Sequence, residues 1–580
     1  MRLRAWAVPL LIVLLIVAAC RSDVSQPQMR RPLETLPAGP QVMLLASDLQ
    51  NTWDRIAGHE LGSLLARLTP ARELLSRTEV VELRLRIDSL EARSGANLRD
   101  DLVLNALGGR AALALYPGTA DRGSHGLLLV GELGDPQRFR TALAALRRAA
   151  EDSTAAPADS AAWRAPRLRF SDDTLAGKPV LRLHADDGQS FVVLHENRLF
   201  LLGTSDDLVR GALAVQAGDS QSALRDPDFA AALAALGMHN LVVLNRNANR
   251  SGGPWAAQGL TWDRDGLHFE QMVRAAAADS PPPGGSSHRE SLLRSIPDHV
   301  TLAAYGRVLG PGSLRELLQQ VHAAAGREPN AGGAASDAPS PGGALAGATA
   351  AVAGRRGGIA AAASALQFLP FELPHDIAEW ASGEMAAALF GAQPTQVAPV
   401  PDVALVVGVR DAERAQKCLQ DLEGAFAALP LGKADRSFVD VSYGGRTFRT
   451  LAQPLFAVVS PSFLLDGDTM VLTSTRESMQ QIIDTRRTGK RNLLGADAFR
   501  RFRGFVPDDA RAVMYADQRR LHRVVQQLGR SAGMWGQTVA RGVQELESMA
   551  ALLEHFPAGA AYVERTPELV RVRGWMLEND

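Results

Sequence analysis

The chain has 580 residues, with 62 lysine and arginine residues against 63 aspartate and glutamate residues, and only two cysteines. The length predicts more than one domain, and 46% hydrophobic with 22% charged residues is typical of a folded globular protein. A formal net charge of −1 lacks the basic excess that nucleic-acid binding needs, so we expect no nucleic-acid partner. Two cysteines exclude a disulfide scaffold and a multi-cysteine zinc site.

Residues 1–19 have the pattern of a secretory signal peptide. A short basic start, Met1–Arg4, precedes an apolar run from Ala5 to Ala19 that carries no charge. The run is shorter than the roughly 20 residues that span a bilayer, and it suits the hydrophobic region of a signal peptide. It ends in Val17-Ala18-Ala19-Cys20, which resembles the lipobox of bacterial lipoproteins. The resemblance implies cleavage before Cys20 and lipidation of Cys20; the alternative is an uncleaved N-terminal anchor.

The residue after Cys20 bears on the destination of the protein. In Gram-negative lipoproteins an aspartate at that position retains the protein in the inner membrane, and this chain has Arg21 instead. Several acyl chains on one cysteine anchor a protein stably, so the membrane is one expected partner. We expect a lipid-anchored envelope protein, in the outer membrane and facing the periplasm.

Composition divides the rest of the chain into tether, repeats and linker. The predicted segments are a signal peptide at 1–19, a tether at 20–34, a first repeat at 35–275, a linker at 276–292 and a second repeat at 293–580. Within the second repeat, residues 326–362 are rich in Gly, Ala, Ser and Pro, which predicts a low-complexity insertion. Residues 519–556 predict extra amphipathic helices that either pack on the second sheet or form a docking surface.

The two predicted repeats share a pattern over a long period. Ala106–Tyr116 matches Trp380–Phe390, with Gly109 on Gly383. Further matches are Leu36-Pro37 with Ile296-Pro297, Leu127–Gly131 with Ala404–Gly408, Thr204 with Ser474, Leu224 with Leu494, Phe229 with Phe499, Val243 with Val513, and Leu267 with Leu569. This pattern predicts an internal duplication.

Helix signals recur at the matched positions. Thr204-x-x-Asp207 and Ser474-x-x-Glu477 have the spacing of a capping box, in which a hydroxyl and a carboxylate satisfy free N–H groups at a helix start. Each strand of the Leu127 and Ala404 match is followed by a helix that begins at an aspartate, Asp135 or Asp411.

The turn residues predict hairpins between apolar runs. Glu196-Asn197, Asp466–Asp468 and Asp263–Gly266 each separate two such runs. Strand pairs mixed with helices, without regular βαβ alternation, predict the α+β class. We therefore expect two tandem homologous domains of mainly antiparallel sheet packed with helices.

The sequence contains no local motif for reaction chemistry. The sequence has no Walker loop, no G-x-S-x-G, no H-E-x-x-H and no C-x-x-C. His184 and His195 could meet across a hairpin with Asp186 and Asp187 near its tip, but solvated turn residues explain this pattern better than a metal does. Cys418 lies on a predicted helix and is expected to be a buried small residue. We predict no catalytic, cofactor-binding or metal-binding residues and no cofactor; Cys20 is the predicted lipidation site.

The pattern of the mature chain resembles a known group of bacterial envelope proteins. The resemblance rests on Leu36-Pro37-Ala38 and Ile296-Pro297-Asp298, on Leu98–Leu102, and on the strand Leu107–Leu113. That family is a domain of unknown function whose members carry an N-terminal signal or anchor. It implies two duplicated α+β halves and no particular activity.

Three functions fit these observations. The first is a non-enzymatic envelope lipoprotein that binds or scaffolds a protein or an envelope polymer. The second is a hydrolase acting on envelope material, which needs a constellation assembled from distant positions. The third is a carrier of a hydrophobic ligand, which needs a large apolar cavity.

Overall fold

The computed structural model describes most of the predicted repeats and little of the segments that flank them. The described residues are 30–47, 88, 91–92, 94–107, 109–117, 126–154, 169–184, 190–236, 239–246, 255–262, 266–274, 289–307, 380–393, 399–428, 437–454, 458–507, 510–529, 556–566 and 569–577. Cys20 with its apolar run, Pro281–Ser287, the predicted insertion at 326–362 and the tip residues Asp186 and Asp187 lie outside them. The chain divides into two compact units whose main boundary lies between Ala276 and Ala277.

The first unit alternates helices with strands. Its helices are α1 (Arg30–Thr35), α2 (Asn105–Leu107, continuing a π-helical turn at Arg99–Leu104), α3 (Pro136–Thr154), α4 (Asp206–Ala217) and α5 (Pro227–Leu236). Its strands are β1 (Val42–Ser47), β2 (Arg110–Tyr116), β3 (Gly126–Glu132), β4 (Arg169–Leu175), β5 (Lys178–His184), β6 (Ser190–Glu196), β7 (Leu199–Gly203), β8 (Leu241–Asn245), β9 (Ala256–Trp262) and β10 (Gly266–Arg274).

These strands form one antiparallel sheet in the order β4-β5-β6-β7-β3-β2-β1-β8-β9-β10. The central strands β1, β2, β3 and β8 are almost continuously buried, which fits their runs of Leu, Val and Ala. The outer strand β4 is largely exposed and carries the polar run Ser171–Thr174. Burial therefore decreases from the centre of the sheet toward β4.

The second unit has a comparable series of elements. Its helices are α6 (Arg289–Arg294), α7 (Ala412–Ala428), α8 (Arg476–Thr488), α9 (Asp497–Arg503) and α10 (Gln518–Gly529). Its strands are β11 (Leu302–Arg307), β12 (Ala381–Gln393), β13 (Val400–Val409), β14 (Phe438–Tyr443), β15 (Arg446–Leu451), β16 (Ser462–Asp466), β17 (Thr469–Thr473), β18 (Ala512–Asp517), β19 (Ala558–Arg565) and β20 (Leu569–Leu577).

The strands of the second unit are antiparallel in the order β14-β15-β16-β17-β13-β12-β11-β18-β19-β20. This is the order of the first unit, strand for strand. Helices α8 and α9 cover the sheet with apolar residues such as Met479, Ile482 and Phe502, which join one buried cluster with Tyr305 and Tyr562. Burial of such large side chains stabilises the unit by roughly 1.5–3 kcal/mol each.

The α+β class and the mainly antiparallel sheet are confirmed. The predicted turns also hold where they are described: β6 and β7 pair across Asn197, and β16 and β17 pair across Gly467. Helix α3 begins after Asp135 and α7 after Asp411. In both cases Oδ1 of the aspartate accepts a hydrogen bond from a backbone N–H of the first turn, 3.0 Å from Arg138 N and 3.1 Å from Arg414 N.

The capping-box prediction is wrong by one residue at both sites. The residues that cap α4 and α8 are Ser205 and Thr475, whose hydroxyls accept hydrogen bonds from Leu208 N and Ser478 N. Thr204 and Ser474 instead bond across the sheet. The hydroxyl of Thr204 accepts from Leu127 N at 2.9 Å, and that of Ser474 accepts from Val403 N at 2.9 Å.

Two segments predicted as connections contain helices. Helix α1 lies partly in the predicted tether, and α6 overlaps the end of the predicted linker. Leu292 and Leu293 are buried in the core of the second unit, which explains why this helix forms. Of the predicted extra helices, the first is α10, with Val524 and Val525 buried; the second lies outside the described residues.

Candidate functional site

Three polar residues meet at one end of the first sheet. His239 lies just before β8, Thr261 is on β9 and Glu270 is on β10. The imidazole Nδ1 of His239 is 3.0 Å from Oγ1 of Thr261, and its Nε2 is 3.1 Å from Oε2 of Glu270. The side chains of His239 and Glu270 are only 9% and 5% exposed. We call these three residues the triad.

The backbone makes room for the imidazole at Gly259. A Cβ at that position would lie 2.2 Å from Cδ2 of His239 and 2.4 Å from its Cγ. Gly259 is opposite Glu270 across the β9–β10 ladder, so the glycine and the carboxylate lie on the same face of the sheet. The ring is therefore fixed between a backbone surface and two polar side chains.

For a neutral imidazole, the contacts of the triad favour one tautomer of His239. A carboxylate accepts hydrogen bonds only, so the Nε2 nitrogen of a neutral His239 carries the proton that faces Glu270. The Nδ1 nitrogen then has a lone pair that accepts a hydrogen bond from the Thr261 hydroxyl. In this tautomer the unprotonated Nδ1 faces the Thr261 hydroxyl, and the Nε2–H faces the carboxylate of Glu270.

The matching place in the second unit holds different residues. Gly259 is opposite Val242 of β8, and Tyr562 is opposite Val513 of β18. Counting along these ladders places Tyr562 in the position equivalent to Gly259. Ala510 occupies the position equivalent to His239, and Arg573 the position equivalent to Glu270. The triad has no equivalent there.

An aromatic column occupies that place instead. The rings of Tyr562 and Trp575 stack with centroids 5.4 Å apart and planes at 24°, and Phe505 stacks on Trp575 at 5.3 Å and 22°. Tyr562 is almost fully buried, whereas Phe505, in the turn after α9, is 52% exposed. We call Phe505, Trp575 and Tyr562 the aromatic column. Its outer ring offers an apolar face to solvent.

A second buried polar cluster surrounds Asp402 on β13. Its Oδ1 accepts hydrogen bonds from the hydroxyls of Ser474 at 3.1 Å, Thr475 at 3.0 Å and Ser478 at 2.5 Å. Gln393 donates to Oδ2 at 3.3 Å. All three hydroxyls are buried at the start of α8, where a negative charge is favoured by the helix dipole. This arrangement satisfies every member and serves to fix the start of the helix.

The residues that the sequence analysis singled out do not form a site. His184 is opposite Ser190 at one end of the β5–β6 ladder, whereas His195 lies near the other end, so the two histidines do not meet. His195 packs edge-on against Phe139 with centroids 5.8 Å apart, and burial lowers the pKa of its imidazole, as does the charge of Arg140. Cys418 is buried beside Ala415 and Trp380.

Two kinds of feature are absent from the described residues. Within those ranges no group of three or more His, Cys, Asp or Glu residues is arranged to hold a metal ion. No helix in the described part of the chain is both long and apolar enough to cross a membrane.

One protein-family model matches part of the chain. Residues 364–556 match a family model described as "Protein of unknown function (DUF3352)". The match lies within the second unit, and it confirms for this part of the chain that the related family has no assigned function.

No curated protein matches the sequence. A solved structure titled "Structure of crystal form I of TP0453" matches with 11% identity and a TM-score of 0.22, over 45% of this chain and 83% of that chain. A likeness at this TM-score supports no inference about fold or function.

Proposed function

We propose that this chain is a lipid-anchored protein of the bacterial cell envelope that acts by binding a partner. The signal pattern and Val17-Ala18-Ala19-Cys20 support lipidation of Cys20, and Arg21 supports an outer-membrane location facing the periplasm. In this proposal the lipid supplies the membrane contact and the two units supply the binding surface.

We further propose that the two units arose by duplication, with repeats at 35–275 and 293–580. The common strand order supports this, and so do matching irregular contacts. An isolated bridge joins Pro37 to Ser222 in one unit and Pro297 to Asn492 in the other. In each unit a short 3₁₀ turn follows that bridge, at Ala223–Arg225 and Leu493–Gly495. Such contacts depend on local residues, and chance rarely repeats them at matching places.

The aromatic column is the observation that carries the binding role. Exposed aromatic rings are uncommon on a folded surface, and Trp, Tyr, Phe and Arg are enriched where proteins bind one another. Phe505 cannot rotate freely into the core, because the stacked Trp575 and Tyr562 already fill the space beneath it. A preordered apolar ring loses little entropy on binding, which favours contact with another protein.

In vivo photo-crosslinking tests this role. A benzoylphenylalanine at position 505 should capture a defined protein, whereas the same probe at Val439, an exposed apolar residue on β14, should not. Adducts of the probe at position 505 with cell-wall polymer would show that the partner is an envelope polymer and not a protein. A probe at 505 that captures nothing beyond the Val439 control contradicts the proposal.

The anchor has its own test. Cys20→Ala should move the protein from the membrane fraction to the soluble periplasm. A variant that stays in the membrane fraction and keeps residues 1–19 would show that the apolar run is an uncleaved anchor. Among the described residues we find no specific support for the carrier alternative; the hydrolase alternative depends on the triad.

A further inference from the structure

We propose that Thr261, His239 and Glu270 form a nucleophilic centre that reacts with carboxylic esters. This reactivity is separate from partner binding at the aromatic column and does not depend on it. The inference rests on three features of the triad, which are its hydrogen-bond geometry, its burial and the contrast with the second unit.

The hydroxyl, the imidazole and the carboxylate lie in the order that activation of a hydroxyl requires. A nucleophile must lie within hydrogen-bond reach of its base, and the base must be oriented by a third group. The Thr261 hydroxyl is 3.0 Å from Nδ1 of His239, and the Glu270 carboxylate is 3.1 Å from Nε2. Glu270 is buried, and both His239 and Thr261 are partly buried, with the side chain of His239 only 9% exposed.

Packing alone does not explain the imidazole. In the second unit the ring of Tyr562 fills the matching place, and Ala510 stands where His239 would be. A single aromatic ring therefore completes this part of the fold without a buried histidine–carboxylate pair. Burying a histidine and a glutamate costs free energy unless they are well bonded, so their presence in the first unit points to a function other than packing.

The reaction can be written with these residues and water alone. As Oγ1 of Thr261 bonds to the ester carbonyl carbon, its proton passes to Nδ1 of His239. The carbon–oxygen bond to the alcohol then breaks, and the alkoxide takes that proton and leaves as the alcohol. Water then attacks the carbonyl carbon of the acyl-threonine and gives a proton to Nδ1. The bond between that carbon and Oγ1 breaks, Oγ1 takes the proton from Nδ1, and the acid leaves. The Glu270 carboxylate stabilises the charged imidazole in both halves.

A covalent probe and an ester substrate test the proposal on the full-length protein in detergent. A fluorophosphonate should label wild-type protein at Thr261, as located by tandem mass spectrometry, and p-nitrophenyl butyrate should be hydrolysed. Thr261→Val keeps the shape of the side chain and should abolish both signals. His239→Gln should slow labelling about 100-fold, in the range that one general base contributes.

Glu270→Gln provides a readout that a merely structural role would not move. It should slow hydrolysis and shift its pH profile, because the imidazolium loses its negative neighbour while the amide keeps the size of the side chain. Ser171→Ala is the matched control, since Ser171 forms an exposed hydroxyl–imidazole pair with His184 at 3.4 Å. Its labelling and turnover should equal those of wild type.

Two results would overturn the proposal. One is wild-type protein that is folded by circular dichroism but is not labelled at Thr261 and does not hydrolyse the ester. The other is labelling that persists at the wild-type rate in a folded Glu270→Gln or His239→Gln variant. Either result would leave the triad as a packing device that differs between the two units.

Discussion

The imidazole of His239 occupies the space that a side chain on Gly259 would need. A Cβ at 259 would come within 2.2 Å of the ring, so the two positions cannot both carry bulk. In the second unit the relation is reversed, with a ring on Tyr562 and only a methyl group on Ala510. The same volume is filled from the loop in one unit and from the strand in the other.

The first prediction follows from that contact. Gly259→Ala should destabilise the first unit by about 1–3 kcal/mol, the usual cost of overpacking a filled core site. The measurement is urea unfolding followed by circular dichroism. Gly306→Ala is the control, because a Cβ on that strand glycine meets nothing within 4 Å.

A double variant tests the contact between position 259 and His239 more directly. Combining Gly259→Ala with His239→Ala removes the ring that the new methyl group meets, so the double variant should lose less stability than the two single losses added together. Additive losses would mean that the two side chains do not compete for this space.

A pH-dependent stability is expected from His195. Burial first, and the charge of Arg140 second, lower the pKa of its imidazole in the folded state. The unfolded chain therefore takes up the proton at a higher pH than the folded protein does, and stability should fall as pH drops below about 6.5. Above that pH both states are neutral at this residue and the effect is absent.

Variants isolate the contribution of His195. His195→Phe keeps an aromatic ring beside Phe139 and should flatten part of the slope of unfolding free energy between pH 7.5 and 5.5. Arg140→Gln should reduce the slope by less, because burial is the larger cause. If the difference between wild type and His195→Phe is constant across this window, the residue does not carry the pH dependence.

The start of helix α4 supplies a third prediction. Ser205→Ala should cost about 1 kcal/mol because it removes the cap on Leu208 N. Asp207→Ala should change the free energy of unfolding by less than about 0.5 kcal/mol, since the side chain is 90% exposed and paired only with Arg210 in the described contacts. A large loss on changing Asp207 would restore the capping box that the sequence predicts.

Local chemistry explains why much of the fold could be predicted. Turns and helix starts are determined by contacts with atoms only a few residues away, so the local sequence is enough to predict them. Examples are the turns at Asn197 and Gly467 and the helix starts at Asp135 and Asp411. The register of the strands could not be predicted in the same way. Matching letters equated Val243 with Val513 and Leu127 with Ala404. The ladders instead place Val242 with Val513 and Leu127 with Val403. In a uniformly apolar run, a slip of one residue leaves the pattern unchanged.

The triad could not be predicted from local spacing. His239, Thr261 and Glu270 lie on three elements, and only the antiparallel pairing of β8, β9 and β10 brings them together. One signal was available. Gly259 lies inside the strand Ala256–Trp262, and an isolated glycine in a strand often marks a close approach by another group.

The last prediction concerns Asp402 and Ser478, whose hydrogen bond is 2.5 Å. The ladders of the first unit place Gly126 where Asp402 stands, since Leu127 and Val403 both bond to the hydroxyl after β7 or β17. Leu208 correspondingly stands where Ser478 stands, and a Cβ on Gly126 would lie 2.9 Å from Cδ1 of Leu208. One unit thus pairs a carboxylate with a hydroxyl, and the other pairs a glycine with a leucine.

Asp402→Gly alone should destabilise the second unit by about 2–4 kcal/mol, because it leaves the buried hydroxyls of Ser474, Thr475 and Ser478 without their common acceptor. Adding Ser478→Leu removes one of those hydroxyls and fills the space with the side chain that the first unit uses. The double variant should therefore recover part of the loss, although Ser478→Leu alone should be destabilising beside an intact Asp402. Urea unfolding of the four proteins gives the coupling energy directly. If the double variant is no more stable than Asp402→Gly, the two sites are not interchangeable and their proposed common origin loses this support.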